Sequence, residues 1–432
     1  MSLRSKSRGG SRTKAVAALT LLALGVVTAI LATLEGFPAH FVAALMLLGA
    51  AVLALDGVIH SGARRLVQTG AAGVLAVASI LLLLGSIELI ADLATIVLWG
   101  SAIWIARAAF TGGNGEPLVA AIAPSAAVMF WNPKSGDGKA LAVGLADEAT
   151  SRGIKAVELK RGDDLQALVL AEIAAGADAL AAAGGDGTQA IVAAIAAEHN
   201  LPFACIPAGT RNHFALDLGV DRDDLVGALD AFTNGGEKRV DLGEVNGQVF
   251  VNNVSLGLYA EAVQRDDYRG AKLQTLLDMA PEVAGPEGTG LELEWSGDSD
   301  QRSEDAVAVL ISNNRYRVGR LMASGTRPSI SDGLLGVTVF ETAIPGPGDG
   351  VLRRPWREWT TPALELNAPT PIAAGIDGEA TTLDSPIRFR IRSKALRVRI
   401  ASHHPGVSPS AALPDRLIDL PGQLWDLATD RA

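Results

Sequence analysis

Cysteine is almost absent. The 432 residues include one, Cys205, so no disulfide forms within the chain and a four-cysteine zinc site is excluded. Positive charge is also short: 37 Lys and Arg face 47 Asp and Glu, a formal net charge of -10. That balance argues against a nucleic-acid binder, which works by neutralising phosphates. Neither a G-x-x-x-x-G-K-[ST] phosphate loop nor a clean G-x-G-x-x-G occurs, so the commonest nucleotide-binding marks are missing.

Charge is missing altogether from Ala15–Leu34, a run as long as the ~20 residues that cross a bilayer core. Phe37–Val58, Leu66–Ile87 and Leu93–Phe110 are further apolar runs, with His40, Asp56 and Arg107 only near their ends. Four runs predict four membrane helices over 15–110. The tail 1–14 is basic (Arg4, Lys6, Arg8, Arg12, Lys14), and the second loop carries His60, Arg64 and Arg65. The first loop has Glu35, and the third has Glu88 and Asp92. By the positive-inside rule the tail and everything after Arg107 are cytoplasmic, and four crossings return the chain to its starting side. The expectation is a multi-pass protein of the cytoplasmic (inner) membrane, with the bilayer as a partner. No charge lies mid-span, which favours a plain anchor over a channel or transporter. A cleaved signal peptide fits the basic start, but not the length of the first run or the spans that follow.

After a linker at 111–124, opening on the Gly-rich Thr111–Pro117, the texture changes. Ala126–Trp131, Ile154–Leu159, Ala177–Ala183 and Phe203–Ile206 read as strands; Ala140–Arg152, Leu165–Ala175, Gln189–His199 and Asp223–Thr233 read as helices. This alternation predicts a parallel sheet in 125–242, with ligand-gathering turns at the strand C-termini. Three turns stand out: Asn132–Lys139, Gly184–Thr188 and Pro207–Asn212. In the second, glycines join a strand to a helix N-terminus. Backbone N–H groups can then approach a phosphate, and the helix dipole favours its charge. Ser135 and Thr188 also read as helix caps, a role compatible with phosphate binding.

NPKSG at Asn132–Gly136, GGDGT at Gly184–Thr188 and PAGTRN at Pro207–Asn212 resemble, in this order, the diacylglycerol kinase catalytic domain. Sphingosine and ceramide kinases share that domain. The resemblance continues through Val240–Val263, Ile311–Gly319, Asp332–Val337 and Gly375–Ala380. It implies an α/β nucleotide-binding lobe of the NAD kinase and diacylglycerol kinase kind, then a β-sandwich lobe at 243–401 whose last strands return to the first. The implied activity is ATP-dependent phosphorylation of a lipid hydroxyl, by default diacylglycerol, with ATP and Mg²⁺ as cofactors. The resemblance further implies that Asn132, Pro133, Lys134, Ser135, Gly136, Gly184, Gly185, Asp186, Gly187, Thr188, Thr210 and Asn212 bind ATP. It makes Glu379 the general base and Asp377 the holder of a metal–water network, with Asp186 the runner-up base or a metal contact. Two carboxylates at i and i+2 of an extended segment face the same side, although Asp-Gly is also an ordinary hairpin signal. Asp332 and the Leu334 carbonyl match a structural Mg²⁺ site, against the plain reading of an Asp-Gly turn.

The sequence departs from the family pattern at Ser329, where an acid is sometimes found, and at Gln189–Ile191, in place of the common Asn-Glu-Val. His213 stands where an aspartate is usual, and a structural hydrogen-bonding role is favoured for it. From Gly243 the pattern turns to strands: Gln248–Val254, Leu291–Trp295, Ala306–Ser312, Leu335–Phe340, Ala363–Asn367 and Ile387–Ile391. Leu256–Ala280 reads as a helical interruption. In the tail 402–432, the pair His403–His404 reads as solvated and Leu417–Leu427 as a short amphipathic helix lying on the membrane or on the domain. A homodimer is a candidate assembly. The competing activities are a sphingoid, ceramide or prenol kinase, an NAD kinase-like enzyme, and a nucleotide-binding membrane sensor without turnover.

Overall fold

The computed structural model describes residues 3–59, 62–84, 89–110, 118–257, 291–296, 301–316, 326–341, 356–411 and 419–429. The helix expected within Leu256–Ala280 lies outside these residues, apart from Leu256 and Gly257, which end a strand.

Among the described residues, the apolar N-terminal region forms three helices rather than four: α1 (Leu3–Ile59), α2 (Gly62–Leu84) and α3 (Leu89–Phe110). The first two apolar runs share α1, whose 57 residues extend about 86 Å at 1.5 Å per residue. Gly36 and Pro38 fall inside it. A proline removes one helical hydrogen bond and can kink a helix without ending it when both flanks favour helix. Among the described residues, Ser11–Ile30 is the one segment long and apolar enough to cross a membrane; Phe41–Ala54, Leu66–Leu82 and Leu93–Ala106 are shorter apolar stretches. Each half of α1 has its own partner. The Ser79 hydroxyl of α2 donates to the Ala43 carbonyl at 3.0 Å. On the other half, Thr95 Oγ1 of α3 donates to Thr28 Oγ1 at 2.8 Å, and the Trp99 indole lies against Gly25. Val27, Ile30, Leu48, Leu81, Val97 and Trp104 are exposed on the outside of this cluster.

The first lobe contains β1 (Val119–Ala120), β2 (Ala127–Trp131), α4 (Lys139–Ala142), α5 (Leu145–Ser151), β3 (Lys155–Glu158), α6 (Leu165–Ala174), β4 (Ala179–Ala183), α7 (Asp186–Glu198), β5 (Pro202–Ile206), α8 (His213–Leu218) and α9 (Leu225–Ala228). Its parallel strands lie in the order β3-β2-β4-β5. β4 is Ala-Leu-Ala-Ala-Ala, buried throughout, which lets helices approach both of its faces closely.

The second lobe is antiparallel: β6 (Gly235–Val245), β7 (Gln248–Phe250), β8 (Asn253–Gly257), β9 (Leu291–Ser296), β10 (Gln301–Asn313), β11 (Leu335–Glu341), β12 (Trp356–Thr361), β13 (Ala363–Asn367), β14 (Ile372–Ile376), β15 (Glu379–Leu383) and β16 (Ile387–Ala401). β16 pairs with β13 at Ile387–Arg390 and runs parallel beside β5 at Arg397–Arg399. β6 follows it in antiparallel register from Phe389↔Val245 to Ala401↔Gly235. Both strands therefore serve both cores: Val240, Leu242, Leu396, Val398 and Ile400 belong to the first, and Val245, Ile387 and Phe389 to the second.

The chain ends on α10 (Leu420–Ala428). Its Leu420, Leu424 and Ala428 are buried against Ala15 and Ala18 of α1 and Ala106, Ala109 and Phe110 of α3. The tail helix thus closes on the apolar N-terminal region. Leu424→Ala should weaken this docking by about 2–4 kcal/mol. Proteolysis and amide exchange confined to 419–429 would report it, while the two lobes stay folded.

Candidate active site

The strand order reverses between β2 and β4, because β3 lies on one side of β2 while β4 and β5 lie on the other. Loops leaving the C-terminal ends of such neighbours part and open a crevice. The turn after β2 begins at Asn132, the turn after β4 is Gly184–Gly185, and the turn after β5 is Pro207–Asn212.

These turns stack on one another through glycines. A Cβ on Gly209 would lie 2.6 Å from Gly185 Cα. One on Gly136, whose φ is +57°, would overlap the Ala208 carbonyl oxygen. Side chains at these positions would force the turns apart. Gly185 caps α7 without any side-chain hydrogen bond, so the first N–H groups of α7 are left for a ligand. The start of α8 is occupied instead: the Asp186 carboxylate accepts from His213 N–H at 3.4 Å and Phe214 N–H at 3.3 Å.

The other predicted ATP contacts divide in two groups. Asn132 Oδ1 accepts Lys134 N–H at 3.0 Å and shapes its own turn with Pro133. Asn212 is buried, and its Nδ2 donates to the Pro207 and Gly209 carbonyls at 2.8 and 2.7 Å. Thr188 covers Gly184. Ser135 is half-buried and Thr210 exposed. The first group builds the turns, and the last two are open to a ligand.

The Asp377–Gly378 hairpin joins β14 to β15 with φ of 48° and 89°, the doubly left-handed geometry that suits Asp-Gly. Because this is a tight turn and not an extended segment, the two carboxylates part company. Asp377 accepts the backbone N–H groups of Val251, Asn252 and Asn253 at 2.8, 2.8 and 3.1 Å. Glu379 goes to α7, with Oε1 3.6 Å from where a Gly187 Cβ would stand. The Asp377 carboxylate thus faces the 251–253 backbone and Glu379 faces α7, while both residues line one groove.

Asp377 is half-buried as a residue, but its carboxylate lies inward under the 251–253 backbone. Burial lifts its pKa from 3.8 to about 7; the three amides pull it down and the Asp186 charge pushes it up. The folded protein therefore holds an extra proton between those two values. Its contribution to stability falls as pH rises from about 4 to 7. Asp377→Asn should remove this part of the pH slope, as read by denaturant unfolding at pH 5 and pH 8.

Beside Glu379 opens a groove of about 820 Å³ lined by Leu170, Thr188, Ile191, Ile195, Val249 and Ile376, among others. Asp332 lies apart from it and is exposed. Its turn is held through backbone: Asp332 N–H donates to Asn314 Oδ1 at 2.9 Å, and Gly333 N–H to the buried Asp241 at 2.6 Å. Ser329 Oγ accepts Ser331 N–H at 3.2 Å. A cation at Asp332 and the Leu334 carbonyl would have one carboxylate, one carbonyl and water, which is compatible with Mg²⁺.

His404 corrects the expectation of a solvated pair: it is buried, and only His403 is exposed. Asp224, His403 and His404 converge, but His404 Nδ1 accepts Asp221 N–H at 2.9 Å. That bond puts the neutral ring's proton on Nε2, the atom a metal would need.

Sequence reasoning missed Asp217 and Arg327. They form a fully buried ion pair, with Arg327 N and Nε donating to Asp217 Oδ1 and Oδ2 at 2.7 and 2.8 Å. The local signal was a lone aspartate between Leu216 and Leu218 in a short apolar helix.

Residues 126–245 match the family model described as the diacylglycerol kinase catalytic domain. A diacylglycerol kinase of Bacillus subtilis is 33% identical over 175 residues, covering 38% of this chain. The chain spans 56% of that relative's length. A Pseudomonas aeruginosa protein described as a probable lipid kinase, YegS-like, is 29% identical over 280 residues, covering 59% of this chain and 85% of its own. A crystal structure of a candidate diacylglycerol kinase from Bacillus anthracis superposes with a TM-score of 0.51 at 19% identity, over 65% of this chain and 99% of that one; this is a likeness of fold.

Proposed function

We propose that the chain, whose residues 126–245 match the diacylglycerol kinase catalytic domain, transfers the γ-phosphoryl group of ATP to a hydroxyl of a membrane lipid. One observation carries the reading: the Glu379 carboxylate lies against Gly187, beside the uncapped start of α7. A phosphate bound by those N–H groups and a hydroxyl approaching Glu379 would be neighbours.

In this reading the stacked turns receive the phosphates through backbone N–H groups, with Ser135 and Thr210 as hydroxyl donors. Glu379 takes the proton from the acceptor hydroxyl as that hydroxyl's oxygen attacks the γ-phosphorus, the bond from the γ-phosphorus to the β–γ bridging oxygen breaks, and ADP leaves. Asp377 fixes the hairpin so that Glu379 arrives in the same place each time. Mg²⁺ bound with ATP would screen phosphate charge during transfer, and the Asp186 carboxylate at the crevice suits a hard cation. The groove with its wall of Leu170, Ile191 and Ile195 suits an acyl-bearing acceptor, with diacylglycerol the first choice and sphingoid, ceramide and prenol alcohols the alternatives.

The exposed apolar faces of α1–α3 support a membrane anchor, since soluble proteins rarely expose contiguous apolar surface on this scale, and Ser11–Ile30 is long and apolar enough to cross. The full chain should remain in the membrane pellet after alkaline carbonate extraction; release into the supernatant would overturn the anchor.

The activity is tested with the purified full chain, Mg²⁺ and labelled ATP. It is offered a total lipid extract, NAD, or no acceptor. Label in a chloroform-soluble product is the expected result. Label in NADP, or nucleotide binding without transfer, would replace this reading with one of its two competitors.

A further inference from the structure

Asp377 and Arg327 grip the same short piece of backbone from opposite edges. The N–H groups of Val251 and Asn252 donate to Asp377. On the other edge, Arg327 Nη1 donates to the Val251 carbonyl at 2.7 Å, and Nη2 to the Asn252 side-chain oxygen at 3.2 Å. Nη1 also reaches the Asn313 carbonyl of β10 at 2.6 Å. The guanidinium lies over the Tyr316 ring, 5.5 Å from its centroid. Its remaining edge faces Asp217.

These contacts close a ring through both lobes. Asp186, at the start of α7, caps α8. α8 carries Asp217, which holds Arg327. Arg327 holds Val251 and Asn252, which hold Asp377. The Asp377 hairpin then delivers Glu379 back to Gly187, one residue from Asp186. We infer that Arg327 and Asp217 are positioning residues for Glu379, fixing through Val251–Asn253 where the hairpin presents that carboxylate to the nucleotide turns. The inference rests on the reading of Glu379 as the base.

A buried ion pair contributes little to stability over an apolar pair of similar size, so stability alone gives no account of it here. Direction does. The planar guanidinium sends fixed donors to a carboxylate, two backbone carbonyls and a side-chain amide at once, which neither an ammonium nor a thioether can do. The acceptors come from α8, from the Val251–Asn252 link between β7 and β8, and from β10, so the charge registers both lobes against each other around one point.

The test uses the full chain with the double replacement Asp217→Leu/Arg327→Met, which removes the directional contacts without orphaning a charge, and with Arg327→Lys. Three quantities are read: kcat, KM for ATP, and amide exchange at 251–253 without substrate. In the double variant, exchange at 251–253 should accelerate at least about tenfold. The kcat should fall by about 30- to 100-fold, the scale expected when a reacting group moves by about 1 Å. KM for ATP should stay within about threefold, because the glycine turns are untouched. Arg327→Lys should restore charge but not kcat. Faster exchange with an unchanged kcat would make the pair purely structural and overturn the inference. Unchanged exchange would overturn the clamp itself, whatever the substrate proves to be, so this readout stands apart from the kinase reading. If the double variant fails to fold, Asp217→Asn is judged by the same measurements and the same outcomes.

Discussion

Glu379→Gln should reduce lipid phosphorylation by about 10²- to 10⁴-fold, the usual contribution of a positioned general base. Nucleotide affinity should stay within about threefold, since the amide keeps the shape and polarity of the carboxylate beside Gly187. The substitution is isosteric, and Glu379 is exposed at the hairpin, so the fold has no reason to respond. Steady-state turnover with labelled ATP, set beside an equilibrium nucleotide titration, separates the two quantities. Undiminished turnover would remove Glu379 from the chemistry and return the role to Asp186.

Gly185→Ala and Gly209→Ala should part in an equally diagnostic way. Gly185 has φ -75° and ψ 176°, ordinary values for any residue, and a Cβ there meets no protein atom within 4 Å. The fold should accept alanine with a change in Tm of no more than about 1–2 °C. Its methyl group would project beside the N–H groups of α7, where only a ligand can be obstructed, so ATP affinity should fall at least about tenfold. Gly209→Ala instead drives a Cβ into the Gly185 backbone. It should lose about 1–3 kcal/mol of stability as well as nucleotide binding. A Gly185→Ala protein that bound ATP normally would remove the turn from the phosphate site.

The contrast between these glycines explains what the sequence could reveal. The stacked glycine turns were legible because a close backbone approach admits glycine alone. The family resemblance added Glu379, which no spacing could have linked to Gly187 across nearly two hundred residues. The separate directions of the Asp377 and Glu379 side chains were not legible, because the i, i+2 rule assumes extended backbone and two left-handed residues, Asp377 and Gly378, break it. Asp217 and Arg327 are 110 positions apart, and neither sits in a motif, so only the folded chain reveals them as a pair. The division of the N-terminal region into four helices followed hydropathy, which marks apolar runs but not whether a helix continues through Pro38. The tail helix was visible as amphipathic, while its partner surface on α1 and α3 was not.

The path of β16 bears on how the protein is made. This strand is synthesised well after β5 and β6, yet it occupies the place beside β5 and along the full length of β6. Until Ala401 emerges, the first lobe has an open sheet edge, and an exposed edge invites pairing with other chains. The nascent protein therefore passes through a long interval with its apolar helices already synthesised and its first lobe unfinished. Truncations that end before β16 should accumulate as aggregates rather than as a folded first lobe.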